Sequence, residues 1–368
     1  MKMIIQAAKA VVGNELIENF WIETHNGVIT KAEQGINQEA AAKTENVLIP
    51  GFIDIHCHGA ASFYFSDQNE SNIKKVITAH NSRGTTGLMA SLVTEPLDEL
   101  KKQILRLLPF YLDGSIIGIH LEGPYLSHAK CGAHDPSLLR VPNIEELAEL
   151  IDIGGGSIKM VTIAPELPGA IETIKFLIQK GIKPALGHSD ANSDQFQKGF
   201  TAGANLITHF TNAMRKERGS GTVYDLILNQ ENVAIELILD GQHVNYENAK
   251  EIIKNMTSQT ILITDAMSAT GQPDGNYKIG KKDVVVKEAV ARLVDGNNLA
   301  GSTLTMEQAF KNAVDVCNLN LVEAVHVSST NAAKALGLLD RGQIKVGMRA
   351  DLLTYNENNK EISRLDNI

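Results

Sequence analysis

The sequence predicts an α/β fold, a TIM-type (β/α)8 barrel with a small β-sandwich domain formed by the N- and C-terminal segments. Three observations predict it. Eight short runs, apolar on both faces, recur from residue 51 onward, as a parallel sheet covered by helices requires. Amphipathic segments of helical period lie between them. Both chain ends instead carry short strand-like stretches broken by turn residues.

Residues 1–50 hold MIIQAAKAVVG and LIENFWIETHNGVITKAEQG, where Asn-Gly is a hairpin turn signal. From residue 51 the pattern becomes repeated βα. GFIDIHC, TGLMASLV, SIIGIHLE, IKMVTIA, IKPALGH, NLITHF, NVAIELILD and TILITDA read as strands; IEELAELID, AIETIKFLIQKG and YENAKEIIKNM read as helices between them. Eight such units predict the barrel over 51–336. KIGKKDVVVKEAVARLVDGNNLAG reads as a hairpin excursion after the eighth strand. Two helices follow, near 303–317 and 321–336, the second stopped by Gly337. The tail GQIKVGMRADLLTYNENNKEISRL returns to strands, and residues 337–368 are expected to pair with residues 1–50 in the small β domain.

A chain of 368 residues at 43% hydrophobic composition can bury a large core. The net charge of −9 argues against a nucleic-acid partner, because the longest basic cluster, Arg215 to Arg218, is short and interrupted by Glu217. A local pocket can still be positive and take an anionic small molecule. Cys57, Cys131 and Cys317 lack paired spacing, so neither a disulfide framework nor a cysteine zinc site is implied, and a reducing cytoplasm is expected. Nowhere do about 18 apolar residues run uninterrupted, so no membrane association is expected.

The polar residues fall in a pattern. In an extended strand alternate side chains share a face, so Asp54, His56 and His58 lie on one side of GFIDIHCHGA and Ile53, Ile55 and Cys57 on the other. His56 and His58 end the first run, Glu122 the third, His188 the fifth, His209 the sixth and Asp265 the eighth. In a (β/α)8 barrel those ends converge on one mouth. A lone histidine closing a strand is more often a hydrogen-bonded structural residue. Four histidines and two carboxylates at one rim match the ligand set of a hydrolytic centre with one or two divalent metal ions per chain, zinc, iron or similar. Gly154-Gly155-Gly156 precedes a strand, with no following helix to offer phosphate a dipole, and reads as a turn.

The order His-x-His, Glu, His, His, Asp on successive strands resembles the amidohydrolase superfamily. PGFIDIHCHG, GIHLEGPYLS, KCGAH, LGHSDA, THFTNAM, LDGQHV, LITDAMSATGQPDGNY, LAGSTLTM and GQIKVGMRADLL narrow the resemblance to the N-acetylglucosamine-6-phosphate deacetylases, over about residues 45–353. The resemblance implies metal-dependent hydrolysis of an amino-sugar phosphate to glucosamine-6-phosphate and acetate, by a homodimer. Glu122, His188 and His209 would hold one metal ion. His56 and His58 match the pair that some members use for a second ion bridged by Glu122. Asp265, also at the metal, would take a proton from the attacking water and deliver it to the departing nitrogen. His134, Asn212, Ala213 and His243 match positions that line the substrate, and His120, on the strand face of Glu122, supports that face or fills the barrel.

Many superfamily members bridge their metals with a carbamylated lysine after strand four. Here the only lysine of IKMVTIAP, Lys159, lies at the wrong end, so Glu122 supplies the bridging charge. The family's Arg-Glu-Pro-Gly tetrapeptide, whose arginine binds phosphate, is absent from NAMRKERGSGTVYDLI. Arg218, or else Arg215 or Lys216, is the expected phosphate contact. N-acetylgalactosamine-6-phosphate or another N-acetyl hexosamine stays open as substrate. So does a non-catalytic sugar- or metal-binding role, against which the retention of Asp265 argues.

Overall fold

The computed structural model describes residues 2–365. The eight apolar runs form one parallel sheet in chain order: Phe52–Cys57, Thr85–Leu92, Gly118–Glu122, Ile158–Ile163, Lys183–Leu186, Leu206–Ile207, Ala234–Ile238 and Thr260–Ile263. The first and last strands meet. Asp265 N donates to His56 O at 2.8 Å and His58 N to Ala266 O at 2.9 Å. The Asp54 carboxylate accepts from Thr264 N at 3.2 Å and Thr264 Oγ1 at 2.6 Å across the same seam. Asp54 thus latches the barrel shut and does not line its mouth, although strand alternation groups it with His56 and His58. Burial lifts its carboxyl to about 6, against the Thr264 bonds that pull it down.

Helices cover the sheet, and polar side chains start them. Asn69, Asn143, Asn192, Thr222 and Asn245 each accept a backbone N–H from the first turn of the helices Glu70–Asn81, Ile144–Gly154, Ser193–Thr201, Val223–Leu228 and Tyr246–Met256. Apolar stripes such as Ile73, Val76 and Ile77 turn inward. The triple glycine is a helix stop, with Gly155 left-handed at φ 54°.

Two expectations need correction. The helices near 303–317 and 321–336 exist, but each contains a wide π turn, Asn312–Val316 in the first and His326–Thr330 in the second. Asn312 Nδ2 there donates to the Leu239 carbonyl at 2.7 Å, a tertiary bond that no local pattern announces. The excursion after the eighth strand is a three-stranded antiparallel sheet, Gly275–Ile279, Lys282–Lys287 and Val290–Leu293, one strand more than a hairpin. Its first strand follows the turn signals of Gly-Gln-Pro-Asp-Gly, which mask it. Ile279, Val284, Val286, Ala291 and Leu293 pack there on Met267, Ala269 and Ala300. The excursion therefore sits as a flap beside the barrel mouth.

The chain ends form a six-stranded sheet, ordered Ile362–Arg364, Leu352–Tyr355, Ala42–Pro50, Lys2–Val12, Glu15–His25, Val28–Gln34. Period-2 alternation divides its side chains. Val47, Ile49, Leu353 and Tyr355 join the barrel core. Leu48 and Leu352 face the other way into a separate core with Ile5, Phe20, Ile22 and Ile29. Residues 1 and 366–368 of the expected β domain lie outside the described residues.

Phe310 joins the two units, its ring centroid 5.3 Å from that of Phe52 and 5.5 Å from that of Tyr355. Phe310→Ala is expected to destabilise the protein by about 3–5 kcal/mol. Denaturant unfolding checks this, and a loss below about 1 kcal/mol would contradict a shared core at that point.

Candidate metal centre and active site

The barrel places five imidazoles around one carboxylate. Glu122, the last residue of the third strand, is buried, and its oxygens lie 3.1 Å from His188 Nε2 and His209 Nε2. They lie 3.2 Å from His134 Nε2, 3.3 Å from His58 Nε2 and 3.4 Å from His56 Nε2. Asp265 Oδ1 approaches His58 Nε2 at 3.3 Å and His56 Nε2 at 3.7 Å. His188, His209 and Asp265 each sit two residues past a barrel strand, with φ of 47°, 27° and 48°. Non-glycine residues adopt this left-handed region at a cost of about 1–3 kcal/mol each, and it is held where surrounding bonds over-determine it. Here Ser127 N donates to His188 O at 2.9 Å and Ser302 N to Asp265 O at 2.8 Å. Gly132, at φ 58°, passes so close that a Cβ would come within 3.1 Å of His188 Cε1.

The far nitrogens of His56, His58 and His188 are fixed. His58 Nδ1 faces the Ser91 carbonyl at 3.2 Å and His188 Nδ1 the Lys130 carbonyl at 2.8 Å. A carbonyl only accepts, so both Nδ1 atoms carry hydrogen and both Nε2 atoms point inward. His56 Nδ1 lies 2.9 Å from Glu236 Oε2. The Nε2 atoms of His56 and His58 are 3.2 Å apart, and those of His188 and His209 are 3.0 Å apart. Facing lone pairs at that range repel unless a proton or a cation lies between them. Two sets of ligand atoms, those of His56, His58 and Asp265 and those of Glu122, His134 and His188, each lie within 4.8 Å of one another. Imidazole with carboxylate, oriented by carbonyls and a further carboxylate behind, is a donor set that fits a divalent metal ion.

Electrostatics point the same way. Burial works against charge on His56, yet Glu236 and Glu122 hold its pKa well above the ordinary value. Asp265 and Glu122 carry His58 to about 9 despite the same burial. Burial opposes ionisation of Glu122, but His56 and His134 keep it well below the usual carboxylate range. Asp265 is drawn to about 2, chiefly by His58, over its own burial. His134, by contrast, is pushed down to about 4 by burial. The two carboxylates require positive charge beside them, which imidazolium or a bound cation supplies.

A cavity of about 450 Å3 opens onto this cluster. His134, Asn212, Ala213 and His243 all line it. His243 Nδ1 is set by Asp240 Oδ2 at 2.7 Å. His120 lies buried among Ser91 and Thr162, at 2.9 and 2.8 Å, and supports the barrel interior. Arg218 is the exception: it is absent from the cavity wall, pairs with Glu251 at 3.3 Å and stacks 4.5 Å over the Tyr224 ring. Arg215 is likewise drawn off, to Asp190 at 3.3 Å, whereas Lys216 lines the cavity.

Sequence reasoning missed Glu236, fully buried, which bonds His56 Nδ1 and accepts from His209 N at 3.1 Å. The signal was available, since Glu236 is the only charged residue inside the otherwise apolar stretch AIELIL. It also missed the flap residues Arg292 and Asn297 to Leu299 on the cavity wall, which only the tertiary fold brings there.

Comparisons with known proteins agree with this geometry. The amidohydrolase family model matches residues 47–367. An N-acetylglucosamine-6-phosphate deacetylase of Lysinibacillus sphaericus is 32% identical, covering 97% of this chain and 94% of its own. An N-acetylgalactosamine-6-phosphate deacetylase of Escherichia coli O157:H7 is also 32% identical, covering 93% of each chain. A solved mutant of the Mycobacterium smegmatis N-acetyl-D-glucosamine-6-phosphate deacetylase, in complex with N-acetyl-D-glucosamine-6-phosphate, superimposes with a TM-score of 0.93. It is 36% identical, and the match covers 97% of this chain and 95% of that one. A closed (β/α)8 barrel, a histidine–carboxylate cluster at its mouth and a family match over most of the length lead to one conclusion: this chain belongs to the amidohydrolase family.

Proposed function

We propose that the protein hydrolyses the acetamide of N-acetylglucosamine-6-phosphate, giving glucosamine-6-phosphate and acetate. The observation that carries the reading is Asp265, held 3.3 Å from His58 at the rim of a cluster whose donors fit a divalent metal. The deacetylase relatives support the substrate class.

His188, His209 and Glu122 would hold one ion, and His56 and His58 would hold a second together with Glu122; His134 stands close enough to Glu122 to join the first group. A divalent cation so held supplies a Lewis acid for the acetamide carbonyl and lowers the pKa of water towards about 7. Asp265 is ionised well below neutral pH and takes the proton of the attacking water. It returns that proton to the sugar nitrogen, because an amine leaves only when protonated. Glu236 holds His56 by Nδ1, which fixes where its Nε2 points. His243, braced by Asp240, and the Asn212–Ala213 turn contact the sugar. The three unpaired cysteines are consistent with a reducing cytoplasm, and no helix among the described residues is long and apolar enough to cross a membrane. The family resemblance supports a homodimer, for which light scattering should give twice the 39.9 kDa chain mass.

Acetate release across N-acetylglucosamine-6-phosphate, its galactose epimer and the free sugars tests the function. Highest kcat/KM on N-acetylglucosamine-6-phosphate is expected, and preference for the epimer would reassign the substrate. Asp265→Asn should lower kcat by about 10²–10⁴-fold with metal content unchanged; near-wild-type turnover in metal-replete protein would remove Asp265 from the proton transfer. Elemental analysis should show that replacing His56 and His58 together removes no more than one ion. Glu236→Ala should weaken metal affinity by about 10–100-fold through loss of the bond behind His56, and unaltered affinity would show that the bond does not orient the ring.

A further inference from the structure

The fourth barrel strand, Ile158–Ile163, pairs with the two strands that lead to Glu122 and His188, yet among the described residues it adds no member to either ligand group. The loop after it carries Glu166. Its Oε2 accepts from Ser189 Oγ at 2.7 Å and its Oε1 from Asp190 N at 2.7 Å. Both oxygens are therefore spent on the two residues that follow His188. Among the described residues no Lys, Arg or His pairs with this carboxylate. A carboxylate so placed serves the shape of one turn rather than surface charge, and an ionised acceptor makes each bond roughly twice as strong as a neutral one would.

That turn needs holding. His188 is left-handed at φ 47°, a conformation that a non-glycine residue keeps only where its surroundings over-determine it. The Lys130 carbonyl fixes the ring at Nδ1, but the backbone that carries the ring is fixed from the other side. Ser189 Oγ gives its hydrogen to Glu166 and accepts from Ala191 N at 3.0 Å. Ser189 N donates to Ala213 O at 3.0 Å, and Arg215 Nε donates to Asp190 O at 2.8 Å. Glu166 closes this set from outside: it is not on the cavity wall, so it acts on the site only through the turn it grips.

We propose that Glu166 is a positioning residue, which by gripping Ser189 and Asp190 sets where the His188 imidazole stands relative to Glu122 and His209. This role rests on the reading above that those three residues hold a divalent ion. The test uses full-length protein carrying Glu166→Ala, Glu166→Gln or Ser189→Ala, stripped of metal and titrated with cobalt(II), whose visible absorption band reports the geometry of its ligands. Glu166→Gln keeps one acceptor oxygen but turns an NH2 group towards a donor. It should weaken the binding of one cobalt ion about 10–100-fold, as loss of a group behind a metal-binding histidine does, and change the band of that ion. Ser189→Ala should shift both in the same direction by less, and Glu166→Ala by more; should Glu166→Ala not fold, the other two variants decide. A lowered unfolding midpoint with cobalt affinity and band unchanged in Glu166→Gln and Ser189→Ala would make Glu166 a purely structural residue and overturn the proposal, while the metal reading would stand. Wild-type protein that binds no cobalt would overturn the metal reading and the role of Glu166 together.

Discussion

Burying the Glu122 carboxylate is the constraint around which the site is organised. An ionised carboxylate taken out of water costs several kcal/mol unless charge and donors surround it. Five imidazole nitrogens do so at 3.1–3.4 Å. No two of the five imidazoles except His56 and His58 come from the same barrel strand or the loop after it, so the carboxylate is stabilised only when the barrel has closed. The chemistry and the fold are thus one requirement: the sheet must place the ends of its first, third, fifth and sixth strands within a single coordination distance of one another.

The supports extend outward in order. Ser91, Lys130 and Glu236 hold the rings from behind, and Asp54 latches the first strand to the eighth beside Asp265. The left-handed backbone at His188, His209 and Asp265 stores strain at the rim, which these bonds offset. A site built so presents oriented nitrogen and oxygen atoms, with the loops and the flap around them.

The barrel and most of the rim were legible in the sequence because both follow short-range rules. Apolar runs such as IKMVTIA and amphipathic segments such as IEELAELID have periods that differ between strand and helix, and a strand-end residue in a parallel barrel has one place to go. The latching role of Asp54 was not legible because alternation assigns a face but not a partner, and its partner Thr264 is 210 positions away. Arg218 pairs with Glu251 and stacks on Tyr224, contacts that its position after the asparagine-alanine-methionine word does not announce. The first flap strand was hidden by turn residues. Long-range contacts, not propensities, account for each of these.

The account stands on the ability of Glu122, His188 and His209 to share a cation. Anomalous diffraction from crystals loaded with zinc measures this most directly. A peak is expected about 2.0–2.2 Å from the Nε2 atoms of His188 and His209 and from a Glu122 oxygen. A peak only elsewhere, or full acetate release by protein stripped of metal, would contradict it.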